Sequence, residues 1–97
     1  MQRYRPLLKE FVDAWGKNAQ VMMALEEMTE LSKELLKNIN REKENRTEIV
    51  SEIADVLIMI EQLKCIYEID EEELHDILKE KTKKGKAHLQ QWKEKNK

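Results

Sequence analysis

The sequence is short of nearly everything that marks a β-rich or disulfide-held fold. It has two glycines and one proline in 97 residues, too little turn chemistry for a sandwich or barrel. A single cysteine, Cys65, rules out an internal disulfide and suits a reducing compartment. Aromatics make up 5%, too few to interleave with the lysines as a nucleic-acid surface requires. The longest aliphatic run, Val56 to Ile60, is far too short to span a bilayer. The N-terminus shows no apolar signal segment, so a cytoplasmic protein with no membrane or nucleic-acid partner is expected.

What is present is charge and helix-forming residues. Charged side chains make up 39%, mostly Glu and Lys, and both favour helices. The net charge of -2 is unevenly spread. Residues 79–97 hold eight lysines and two glutamates, so they stand at +6, and the acids concentrate upstream. The length allows a single domain over 1–97, and a lone core of this size is marginal.

Apolar spacing predicts four helices. The first runs from about Pro6 to Trp15, with proline tolerated in the first turn. Gly16-Lys17-Asn18 offers a stop and a restart. The second runs from about Ala19 to Asn38, and a polar connection spans 40–46. Thr47 is the expected N-cap of the third, whose apolar surface covers more than one face. Asp70 caps the fourth, ahead of three glutamates that complement the helix dipole. Long helices with short loops predict an all-α antiparallel bundle of about four helices. The wide apolar surface of the third helix predicts that a second copy completes the core.

Two acid patterns carry the chemistry. One is Glu26-Glu27-x-x-Glu30 on the second helix, and the other is Glu52-x-x-Asp55 on the third. Positions three apart share a helix face, so antiparallel packing lets Glu27 and Glu30 face Glu52 and Asp55. Spaced acid pairs arise by chance where twenty of 97 residues are acidic, so either pattern alone reads as a solvated face. Asp55 decides the weighing, because it sits inside an apolar run where aspartate is unfavourable unless paired or metal-bound. No basic residue lies within four positions of it on its own helix. Hard oxygen ligands without cysteine suit Mg²⁺, with Mn²⁺ as the second choice. A di-iron bundle needs Glu-x-x-His on two helices, and only Glu72-x-x-His75 is present.

The paired motif, with Trp15-Gly16 and Gln20 upstream and an apolar run after Asp55, resembles the MazG-like all-α nucleoside triphosphate pyrophosphohydrolases. The resemblance covers about Trp15 to Lys84. It implies hydrolysis of (d)NTP to (d)NMP and pyrophosphate, in a homodimer or homotetramer. Glu27, Glu30, Glu52 and Asp55 match the family's Mg²⁺ ligands, and Glu26, the expected catalytic base, matches a position that in some members helps hold another metal or position the attacking water. Gln20, Lys81 and Lys84 are the expected substrate contacts, although lysine stands where arginine is common in the family. Trp15 reads better as a ring closing a helix end, and the methionines as core filler. The rival reading is a non-enzymatic helical oligomerisation or regulatory module whose acids are surface.

Overall fold

A computed structural model describes residues 2–41 and 44–97. The described residues are all-α and form four long helices: α1 Arg5–Trp15, α2 Lys17–Arg41, α3 Arg46–Ile66 and α4 Glu71–Lys95. A short 3-10 turn, Gln2–Tyr4, precedes α1. No helix among the described residues is long and apolar enough to cross a membrane.

The breaks between helices follow local chemistry. Gly16 adopts φ 93°, a conformation open to glycine and strained for other residues. Its N–H closes α1 on the Val12 carbonyl at 2.9 Å, and its own carbonyl accepts the Gln20 N–H at 3.1 Å. One residue therefore ends α1 and starts α2. At the end of α3, Glu68 takes φ 51° and the Ile69 N–H returns to the Lys64 carbonyl at 2.9 Å. Asp70 then caps α4, accepting the Glu72 N–H at 3.2 Å, as the sequence led us to expect.

Asn45, not Thr47, is the N-cap of α3. Its side chain does not cap the helix but ties it back to α2. The Asn45 amide donates to the Glu34 carbonyl at 2.9 Å and to Glu34 Oε1 at 3.2 Å, and Asn38 donates to Asn45 Oδ1 at 3.1 Å. At 1% exposure, Asn45 is one of the most buried side chains in the chain. The expected polar connection over 40–46 includes residues 42 and 43, which lie outside the described residues.

Helices α2 and α3 form an antiparallel pair, and α1 packs against both. The register is visible in side-chain contacts along the pair. Gln20 meets Gln62, Glu27 meets Asp55, and Glu34 meets Asn45. Packed apolar residues are few: Leu8, Ala24 and Met59 are buried, each on a different helix. A buried amide pair closes one end of the groove, with Gln20 Nε2 donating to Gln62 Oε1 at 2.6 Å.

The fourth helix stands apart. Beyond its first turn it packs against no other helix, and only Leu74 along its length is half-buried. The radius of gyration is 17.3 Å, against about 12.5 Å for a compact chain of this length. The accessible surface is 8100 Å², against about 5,800 Å² expected for a folded monomer of this mass.

Candidate metal centre

Three acids converge between α2 and α3. Oxygens of Glu27, Glu52 and Asp55 lie within 4.8 Å of one another, and all three residues are half-buried. The antiparallel register places Glu27 of α2 opposite the turn of α3 that carries Glu52 and Asp55. Glu27 and Asp55 border their helices' inner faces, because Ala24 on α2 and Met59 on α3 are buried within one turn of them, and Glu52 shares a face with Asp55.

The electrostatics of the cluster are unfavourable without a counter-charge. The Glu27 carboxyl is pushed above the usual carboxylate range. Burial is the largest cause, followed by the negative charges of Asp55 and Glu52, the hydrogen bond that a protonated Glu27 would give Asp55, and the charge of Glu30. Glu52 Oε2 is buried and has no hydrogen-bond partner. A buried carboxylate oxygen left without a donor is costly. Either a shared proton or a cation would relieve the crowding, and a cation would also give Glu52 Oε2 a partner. Three hard oxygen donors with room for water suit Mg²⁺ or Mn²⁺. The donor set therefore fits the ion that the sequence suggested.

Glu30 does not join the three. It lies one turn further along α2, half-exposed, and its carboxylate pairs with Lys33 at 3.5 Å. With Glu26 and Glu27 it lines an open groove of about 440 Å³ on α2, which Met22, Leu25 and Thr29 complete. Glu26 is exposed on this rim, beside the cluster.

The expected substrate contacts are placed differently. Gln20 is 3% exposed and donates its amide to Gln62, at the end of the α2–α3 groove. Lys81 and Lys84 are exposed on α4, which beyond its first turn packs against neither acid-bearing helix. Trp15 closes α1 as expected, stacked on Phe11 with ring centroids 5.1 Å apart.

A second charged cluster was not foreseen from the sequence. Glu61 is buried near the end of α3, where Lys64 Nζ meets its Oε2 at 2.6 Å and Arg5 lies 3.5 Å from its Oε1. Glu71, at the start of α4, receives both Arg5 at 2.8 Å and Lys64 on the same oxygen. Hydrogen bonds from Lys64 and then Arg5 hold the Glu71 carboxyl below the usual range. The network joins α1, α3 and α4 where they meet. The sequence signal was Glu61-x-x-Lys64 at the end of an apolar helix, a spacing that places the two on one face.

No protein-family model, curated protein or solved structure matches the chain.

Proposed function

We propose that the protein is a Mg²⁺-dependent nucleoside triphosphate pyrophosphohydrolase of the MazG-like kind, cleaving (d)NTP to (d)NMP and pyrophosphate. The observation that carries this reading is the convergence of Glu27, Glu52 and Asp55, with a buried Glu52 oxygen that lacks a partner. Glu27, Glu52 and Asp55 would hold the ion, and Glu30 on the neighbouring turn lies at the groove's edge. A bound divalent cation supplies charge neutralisation for phosphate oxygens and makes water a better nucleophile.

The chain's own residues do the rest. Glu26, on the exposed rim beside Glu27, takes a proton as water attacks phosphorus and pyrophosphate or the monophosphate leaves. The groove admits phosphate from solvent, and the half-buried acids keep the reacting end partly dry. Lys81 and Lys84 stand on α4, clear of that groove in the single chain, and this reading includes a homodimer or homotetramer. Gln20 acts by fixing Gln62 and the α2–α3 spacing.

The test is pyrophosphate release from a panel of NTPs and dNTPs with and without Mg²⁺. Release with Mg²⁺ is expected, along with its loss in Glu27→Ala and Asp55→Ala variants that keep their helical circular dichroism. Full activity in either variant would overturn the assignment. The exposed α4 favours the second reading, a helical oligomerisation or regulatory module. Absence of release with every nucleotide would support that reading.

A further inference from the structure

We infer that α4 is a hinged arm whose direction is set by an ionic clasp on Glu71, and that raised ionic strength releases it. The inference rests on the placement of the helices and not on the chemistry at the acid cluster. Apolar packing holds α4 weakly. Leu74 is half-buried, and Ile77, Leu78, Leu89 and Trp92 are 46–61% exposed. The junction adds little. The N–H groups of Tyr67, Glu68 and Ile69 return to the Leu63, Cys65 and Lys64 carbonyls and close α3, whereas the Leu74 N–H bonds to the Asp70 carbonyl and opens α4. Among the described residues no backbone hydrogen bond spans the step from Ile69 to Asp70, which makes it a pivot.

What fixes the arm is charge. Among the described residues, every ion pair and side-chain hydrogen bond between α4 and another helix ends on Glu71 Oε1. That oxygen receives Arg5 of α1 at 2.8 Å and Lys64 of α3. The two cations do not depend on Glu71 for their place. Buried Glu61 holds both, Lys64 at 2.6 Å and Arg5 at 3.5 Å. One acid and two bases thus form a seat of net positive charge at the end of α3, and Glu71 brings the negative charge that neutralises it. Released, Glu71 leaves the seat cationic and still assembled.

The two layers of the clasp differ in exposure. The side chains of Glu61 and Lys64 are 9% and 12% exposed, and those of Arg5 and Glu71 are 37% and 48% exposed. The inner pair is shielded from salt. The outer contact meets water, where screening shortens the reach of a charge from about 10 Å at 0.1 M salt to about 3 Å at 1 M. Exposed ion pairs are weak holds, and with little apolar surface to keep it in place the arm depends on this one. The helix is a lever about 37 Å long, so a swing of about 20° moves its far end by about 13 Å.

The test uses the full chain and measures distances by double electron–electron resonance. Spin labels are attached at Ser32→Cys on α2 and Lys93→Cys on α4 in a Cys65→Ser background, and the labelled chain is diluted into unlabelled protein. A second pair, Lys9→Cys with Ser32→Cys, reads α1 against α2. At about 0.1 M salt the 32–93 distances are expected to form one narrow distribution. Glu71→Gln, or about 1 M salt without that substitution, is expected to broaden or shift it by about 10 Å. Glu72→Gln, which removes the same charge from the same turn, leaves it as it was, and the 9–32 distances stay fixed throughout. Distances already broad at low salt, or a 32–93 distribution unmoved by Glu71→Gln or by salt, would overturn the inference. So would an equal effect of Glu72→Gln, or a 9–32 pair that moves with Glu71→Gln.

Discussion

Replacing Glu27 by Gln separates a working metal centre from three unrelated surface acids. Oxygens of Glu27, Glu52 and Asp55 lie within 4.8 Å of one another. At that distance and an effective dielectric of about 20, each like-charged pair repels by roughly 3.5 kcal/mol. Salt and the raised Glu27 pKa discount that figure, because part of the repulsion is already relieved by protonation. We expect Glu27→Gln to stabilise the metal-free protein at pH 8 by about 1–2 kcal/mol, or about 4–16 °C in melting temperature for a chain of this size.

The same variant should lose the stabilisation that added Mg²⁺ gives the wild type, because a ligand has been removed. The pH dependence has a fixed sign. Glu27 holds its proton more tightly folded than unfolded, so this group contributes most stability at low pH. That contribution falls as pH rises from the ordinary carboxylate range through the raised pKa. Magnesium must displace that proton, so its affinity rises over the same window. The assay is a set of thermal melts from pH 4 to 8, with and without Mg²⁺. A variant no more stable than wild type at pH 8, with an unchanged Mg²⁺ response, would refute the reasoning.

Other consequences can be checked by similar means. Removing Glu61 leaves Arg5 and Lys64 sharing only Glu71, so Glu61→Ala should cost about 2 kcal/mol in chemical denaturation, less than the roughly 3–5 of a fully orphaned buried pair. Glu71 titrates with the opposite sign to Glu27: its contribution is present above the ordinary carboxylate pKa and lost as pH falls through its lowered one. Acid melts of Glu71→Gln should therefore lack part of the wild-type loss at low pH. Gln62→Ala should cost roughly 1–3 kcal/mol by orphaning Gln20, whereas Gln20→Met with Gln62→Leu should be nearly neutral and leave KM unchanged. Gly85→Ala should favour the helical state of α4 by about 1 kcal/mol, read by circular dichroism in chemical denaturation.

Much of this architecture was legible because it is local. Gly16, Asp70 and the apolar periods mark helix ends and faces through interactions within a few residues. Asp55 was legible for a different reason: an ionised side chain in an apolar helix demands an explanation wherever the helix packs. The place of Glu30 was not legible. It shares a face with Glu27, but the α2–α3 register decides which turn of α2 meets Glu52 and Asp55, and a one-turn difference leaves Glu30 with Lys33. Asn45 was hidden because a polar residue in a polar connection gives no sign that it clasps the neighbouring helix. The separate course of α4 was hidden too. Its stripe reads as a core face, and only tertiary structure shows that no helix of the same chain covers it.

The central claim is that Glu27, Glu52 and Asp55 bind a divalent cation for phosphate chemistry. Titration of the full chain with Mn²⁺, followed by the electron paramagnetic resonance of the free ion, tests it most directly. The account predicts saturable binding at neutral pH, accompanied by proton release and competed by Mg²⁺, and loss of that binding in Asp55→Asn. Absence of saturable binding, or binding unchanged by Asp55→Asn, would contradict it.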